Sequence, residues 1–201
     1  MKSVWQDVEP KLKIGVLALQ GGFALHLSSL SNLGVEAIAV RYPHELEECS
    51  GLILPGGEST TMTSLLKESG LFHALQRFNR PLFGTCAGMI LLSKLGLLSV
   101  AIERNAWGRQ CESFSTQLEV AFPTGTKMCE GVFIRAPRIK AILSSEVQVL
   151  ASHLGEPVFV QQGSSFGATF HPELTEERDF HRFYVGVCYE FARKNSRCKC
   201  S

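Results

Sequence analysis

Pro81-Leu82-Phe83-Gly84-Thr85-Cys86-Ala87-Gly88-Met89-Ile90-Leu91-Leu92 decides how this chain folds. Its first three residues read as a short strand and residues 86–95 as a helix, with only Gly84-Thr85 between them. A strand that passes into a helix across so tight a turn is half of a βαβ unit. The same alternation extends back along the chain. Ile14-Gly-Val-Leu-Ala-Leu19 is a continuous apolar run, suited to a strand buried on both faces. Phe23, Leu27 and Leu30 follow at helical spacing, and Gly34 is placed to end that helix. Residues 35–40 and 52–54 read as the second and third strands, and Pro55-Gly-Gly57 ends the third. The helix after it carries Met62, Leu65 and Leu66 on its inner face, with Ser59 or Thr60 as the expected cap.

Past residue 110 the pattern changes. Strand-like runs succeed one another up to Phe170, as expected of antiparallel additions to the sheet. Thr175 is the expected start of a last helix, with Phe180, Phe183, Tyr184, Val187 and Phe191 on its buried face. Together these elements predict an α/β fold: right-handed βαβ units, a mostly parallel central sheet and helices on both faces.

A chain of 201 residues with a formal net charge of +1 suits one substantial domain. We read it as residues 13–194, between an N-terminal extension (1–12) and a polar C-terminal tail (195–201). Charge so near neutrality draws the chain neither to nucleic acid nor to anionic lipid, and neither partner is expected. The longest apolar stretch, residues 89–102, is broken by Lys94 and Gly96 and is too short to span a bilayer. Met1 to Lys13 contain no apolar run of signal-peptide type. Seven cysteines, an odd count without a spaced framework, point to a reducing, cytoplasmic location and to mostly buried thiols.

Function must then come from a site, and such sheets bind ligands beyond the carboxyl ends of their strands. Three strand ends carry chemistry. Gly84-Thr85-Cys86-Ala87-Gly88 has the form of a nucleophile elbow with cysteine as nucleophile. Its glycines relieve crowding at a sharp turn, and the helix N-terminus beneath the sulfur favours a thiolate. The Ala87 N–H would face a developing oxyanion. His171-Pro172-Glu173 closes the strand read at 166–170, and Pro172 biases His171 towards an extended conformation. Residues two apart then point the same way, so the carboxylate can hold one ring nitrogen while the other faces the thiol. Pro55-Gly56-Gly57-Glu58-Ser59 follows the third strand, and its glycines let backbone N–H groups approach a ligand.

Each piece also has a plain structural reading: a buried cysteine, a surface histidine, a tight turn. Their meeting at three strand ends is the argument for chemistry. His-x-Glu occurs in zinc deaminases too, but the P-C-x-x-C that completes such a site is missing from this sequence. Cys198-Lys-Cys200 is a poor ligand set by itself, so no metal is expected.

With these motifs in order, the chain resembles the class I, or triad, glutamine amidotransferases, and within them the glutaminase subunits of pyridoxal 5′-phosphate synthase. The resemblance runs from about Lys13 to the final helix. It rests on Leu17-Ala-Leu-Gln-Gly21, Pro55-Gly-Gly-Glu-Ser-Thr-Thr61, Gly84-Thr-Cys-Ala-Gly88, Arg104-Asn-Ala-Trp-Gly-Arg-Gln110, Phe133-Ile-Arg-Ala-Pro137 and Thr169-Phe-His-Pro-Glu-Leu-Thr175. It implies a three-layer α/β sandwich and hydrolysis of L-glutamine to L-glutamate and ammonia. Cys86 would attack the side-chain amide to give a glutamyl thioester; His171 would protonate the leaving ammonia and later activate water, with Glu173 orienting it. Gly57 and Ala87 are implied as the oxyanion hole. Gly57, Glu58, Ser59, Arg104, Ile134 and Arg135 match glutamine-binding positions, a guanidinium being a fit partner for an α-carboxylate.

The resemblance further implies that ammonia passes to a (β/α)₈-barrel synthase subunit in a hetero-oligomeric complex, and that glutaminase activity depends on docking to it. Pyridoxal phosphate is the product of that partner, so no cofactor is expected on this chain. Gly22 and Leu25 stand where the family usually has a small residue and an acidic one, in a segment expected near the partner interface, while His26 is kept. Trp107 replaces a more usual Tyr or Phe. Other readings stay open: a glutaminase serving another acceptor enzyme, a cysteine hydrolase or stress-response protein on a similar sheet, or a non-catalytic module on the same fold.

Overall fold

Strand β1 (Lys13–Leu17) sends alternate residues to opposite sides of the molecule. Leu17 packs with Leu52, Leu54, Met62 and Leu92, whereas Val16 packs with Leu30, Ile53, Phe159 and Tyr184. That is the pleat of a strand covered on both faces, as the apolar run predicts. The computed structural model describes residues 12–104 and 113–198, the last two by backbone only. Trp107, Cys111 and Cys200, residues 1–11 and most of the Arg104–Gln110 motif lie outside the described residues.

The first half alternates β1, α1 (Phe23–Asn32), β2 (Glu36–Val40), β3 (Gly51–Leu54), α2 (Ser59–Glu68), α3 (Leu71–Gln76), β4 (Leu82–Thr85) and α4 (Ala87–Lys94). The second adds β5 (Val100–Glu103), β6 (Ser113–Phe122), β7 (Gly125–Ile134), β8 (Arg138–Ile142), β9 (Val147–His153), β10 (Glu156–Gln162), β11 (Ser165–Ala168) and α5 (Asp179–Cys198). Seven strands form the central sheet in the order β2-β1-β3-β4-β11-β10-β9. The first five are parallel; β10 and β9 add antiparallel at one edge. Helices α2, α3 and α4 cover one face through Met62, Leu66, Leu71, Leu75 and Met89. Helices α1 and α5 cover the other through Leu30, Phe180, Tyr184 and Cys188, which completes the three layers. On that second face Phe159 meets Phe180 edge to face at 5.3 Å, and Phe166 meets Phe183 at 5.2 Å.

Several expectations need correction. Among the described residues only β9 and β10 extend the sheet antiparallel; β6 pairs with β7, and β5 with β8, as separate two-stranded ribbons. An alternating strand carries no mark of which partner it pairs with, so the pattern was right and the pairing was not. The last helix starts at Asp179 rather than Thr175, because residues 172–174 form a 3₁₀ turn that Thr175 closes by donating its hydroxyl to Pro172 O at 3.0 Å. Arg178, at φ +52°, also breaks any helical path through that segment. Helix α5 then continues to Cys198, into the stretch read as a polar tail; Asn195 and Ser196 are exposed but helical. Finally, α2 is capped by Glu58, not by Ser59 or Thr60. Its carboxylate accepts from the Thr60 and Thr61 N–H groups at 3.0 and 3.1 Å, placing negative charge at the positive end of the helix.

The carboxyl ends of β3, β4 and β11 lie side by side, with Leu54 opposite Gly84 and Thr85 opposite Ala168. Helix α4 leaves this edge so closely that a Cβ on Gly84 would meet the Gly88 carbonyl at 2.6 Å, and one on Gly88 would run into the Leu54 carbonyl. Gly88→Ala is therefore expected to lower the unfolding free energy by about 3 kcal/mol, since backbone rather than a movable side chain stands in the way. A urea midpoint equal to that of the parent chain would show that α4 is not held against β3.

Candidate active site

Strand β4 ends at Thr85, and Cys86 takes the left-handed turn into α4 at φ 48°, ψ −110°. Such a conformation costs a residue with a Cβ roughly 1–3 kcal/mol and persists only where its surroundings impose it. Here the flanking glycines bring strand and helix together, and the Cys86 N–H donates to Ala168 O at 2.8 Å, tying the elbow to β11. Ala87 opens α4, so its N–H has no acceptor within the helix, and the residue lines a cavity with Cys86.

His171 follows β11, and its N–H donates to Val132 O of β7 at 2.8 Å. Its Nδ1 donates to Glu173 Oε1 at 2.7 Å, and the ring lines the same cavity as Cys86. Burial pushes the His171 imidazolium down, but Cys86 and Glu173 together outweigh it and raise its pKa above the ordinary value. For Glu173 burial pushes the carboxyl up; His26 and the hydrogen bond from His171 overcome it and hold the group well below the usual carboxylate range. An ionised carboxylate thus sits behind the imidazole, oriented to keep one ring nitrogen protonated.

Facing the thiol is the loop after β3. A Cβ on Gly56 would run into the His171 ring and come within 3.4 Å of Cys86 Cβ; one on Gly57 would meet Gln20 Oε1 at 2.6 Å. The loop is held from behind, where Gly22 N–H donates to Gly56 O at 3.0 Å and Glu58 N–H donates to Gln20 Oε1 at 2.8 Å. Cys86 is 8% exposed and lines two cavities, of 440 and 50 Å³. Gly57, Glu58, Ile134 and Arg135 line the larger; Ser59, Ala87 and Arg104 line the smaller, together with Gly57, Glu58 and Arg135. The candidate catalytic, oxyanion-hole and glutamine-contacting residues therefore all line cavities that Cys86 also lines. Arg104 pairs with Glu58 Oε1 at 2.8 Å and donates to Thr60 Oγ1 at 3.1 Å. The Ser59 hydroxyl is buried and meets no hydrogen-bond partner among the described residues. Arg135 is exposed, at φ +44°.

Four neighbours of the site escaped the reading of motifs as site residues: Gln20, Thr85, His26 and His181. The two histidines left a trace, since each interrupts an otherwise apolar inner helix face, His26 between Phe23 and Leu30 and His181 between Phe180 and Tyr184. Cys49, Cys129 and Cys188 take no part; burial pushes their thiols up to about 11, 11 and 12, which keeps them inert near neutrality. Among the described residues no group of three or more His, Cys, Asp or Glu is arranged to hold a metal ion, and no helix is long and apolar enough to cross a membrane.

This geometry has relatives. The sequence profile of the SNO glutamine amidotransferase family matches residues 16–190. Pyridoxal 5′-phosphate synthase subunit PdxT of Thermotoga neapolitana is 46% identical over 186 residues, spanning 87% of this chain and 98% of that protein. The PdxT protein of Desulforamulus reducens is 47% identical over 184 residues, 86% of this chain and 97% of its own. A solved glutamine amidotransferase superposes with a TM-score of 0.81 at 44% identity, over 87% of this chain and 98% of that one. A glutamine amidotransferase of Thermotoga maritima, at 14% identity and a TM-score of 0.60 over 92% of this chain and 86% of that one, shares the fold. On the match of profile, sequence and three-dimensional arrangement, the chain belongs to the SNO glutamine amidotransferase family.

Proposed function

We propose that the chain hydrolyses L-glutamine at Cys86 and supplies the ammonia to a pyridoxal 5′-phosphate synthase subunit. One observation carries the chemistry: a cysteine on a strained elbow lines one cavity with an imidazole whose Nδ1 lies 2.7 Å from a buried carboxylate. Cys86 Sγ attacks the amide carbon, and the oxyanion forms opposite the N–H groups of Gly57 and Ala87. His171 passes a proton to the departing ammonia, and Sγ keeps the glutamyl group as a thioester. The same ring then takes a proton from water as the thioester opens to glutamate. Glu173 stays ionised and holds the ring.

Ser59, Arg104, Ile134 and Arg135, with Glu58, are suited to the polar end of glutamine, because they line the cavities that meet at the sulfur. No step calls for a metal or a cofactor on this chain. The acceptor is read from the two PdxT relatives, which match over nearly their full length. Leu25 and Leu174, 46% and 43% exposed, put an apolar rim on the larger cavity and suit docking of the synthase subunit in a hetero-oligomeric complex. A reducing cytoplasm suits a thiol nucleophile.

Glutamate release from L-glutamine, measured with and without the purified synthase partner, tests the reading. The partner should stimulate release, and Cys86→Ala should abolish it with the variant's thermal unfolding unchanged; hydrolysis surviving in that variant excludes the mechanism. Glu173→Gln keeps the shape of the side chain but not its charge. It should lower kcat roughly a hundredfold or more while KM for glutamine stays within about twofold. An unchanged kcat would remove Glu173 from the triad.

A further inference from the structure

Behind Glu173 a line of buried polar side chains continues away from the cavity. His26 Nε2 hydrogen-bonds to the Thr85 hydroxyl at 3.2 Å and lies 3.3 Å, within ion-pair distance, from Glu173 Oε2, a buried oxygen that meets no hydrogen-bond partner among the described residues. On its far side His26 Nδ1 is 2.9 Å from His181 Nε2. Both histidines are 0% exposed, and His181 Nδ1 meets no hydrogen-bond partner among the described residues. Two imidazoles buried among Leu30, Phe180 and Tyr184 are costly to the core, where leucine or phenylalanine would fill the space with no polar atom to satisfy.

The network assigns the protons. Burial pushes the His181 pKa down to about 3, so that ring is neutral at working pH and has one N–H. A proton on Nδ1 would be a buried donor without an acceptor, which folded proteins avoid. The proton therefore sits on Nε2 and is donated to His26 Nδ1. With His26 Nδ1 taken up as acceptor, Nε2 is the ring nitrogen left for the Thr85 hydroxyl and for Glu173 Oε2 beyond it.

We propose that His26, held in this tautomer by His181, is a positioning residue for glutamine hydrolysis: it fixes the second carboxylate oxygen of Glu173 and thereby the orientation and charge of the group that steadies His171. This rests on the proposed function above. The charged and titratable groups facing Glu173 are His171 and Cys86 on the cavity side, His26 from α1, His181 of α5 with Arg178 just before it, and Arg135 at the cavity wall. Without His26, burial of Oε2 is opposed less, the carboxylate is less favoured, and the His171 imidazolium loses support. The His171 midpoint must therefore fall, not rise.

The test is an NMR titration of the imidazole ring signals in the isotopically labelled chain. It has six histidines, and His171→Asn identifies the relevant signal. His26→Leu should lower the His171 midpoint by about one pH unit. His181→Leu should lower it less, and His26→Gln, whose side-chain amide can still donate towards Glu173, should keep it near the parent value. In the complex with the synthase partner, His26→Leu should lose about ten- to a hundredfold in kcat with KM within about twofold, and His26→Gln should recover most of that. Superimposable titrations of the parent and His26→Leu, or equal losses in the leucine and glutamine variants, would overturn the proposal. Should His26→Leu fail to fold, an unmoved His171 midpoint in His181→Leu overturns it instead. The titration needs no turnover, so a parent chain that releases no glutamate would remove the proposed function and leave the positioning result to be read by itself.

Discussion

Backbone meets backbone where α4 leaves the sheet, and the site is arranged around that approach. With Gly84 against Gly88, and Gly88 against the Leu54 carbonyl, three polypeptide segments share a volume that admits no side chains. The chain can make the corner only by forcing Cys86 into a left-handed conformation, and the corner carries the sulfur out over the junction of β3, β4 and β11. Gly56 extends the same principle across the gap, leaving the His171 ring the space a methyl group would fill. The thiol, the imidazole and the loop after β3 are close because no side chains stand between them.

Against this spare backbone stands a costly charge. Glu173 is 7% exposed, and a carboxylate so placed is tolerated only with partners on its oxygens. His171 donates to one oxygen, and His26 Nε2 lies within ion-pair distance of the other. The arrangement draws on α1, β4, β11 and α5 together, which ties the chemistry to the packing of both helices on that face of the sheet.

How much of this was legible in the sequence depends on distance along the chain. Strands β1, β3 and β4 announce themselves by local apolar runs, and the elbow by glycines flanking Cys86, because both effects act within a few residues. His171 and Glu173 were expected to share a side of an extended segment; they do meet, at 2.7 Å, but across the 3₁₀ turn of residues 172–174 rather than along a strand. The remaining features are set by partners far away. His26 meets His181 across 155 residues, and the only sign of it was a polar residue on each of two greasy faces. Strand β11 inserts beside β4 in parallel, while β6 and β7 turn to each other, and nothing within the strands names these partners. The cap of α2 went to Glu58, not Ser59, because the backbone after Gly57 enters the helix at a different residue from the one the hydroxyl-rich run suggests.

Cys86 and His171 each lie just beyond strands that are direct neighbours, β4 and β11, in the interior of a seven-stranded sheet whose edges are β2 and β9. Edge strands are where local opening begins, since they have hydrogen-bonded neighbours on one side only. Amide protons of β2 and β9 can therefore exchange with solvent through fluctuations that leave the reacting atoms in register. Those of β4 and β11 are released only by an event that also takes the site apart, so loss of catalysis on heating tracks the opening of the middle of the sheet rather than its periphery.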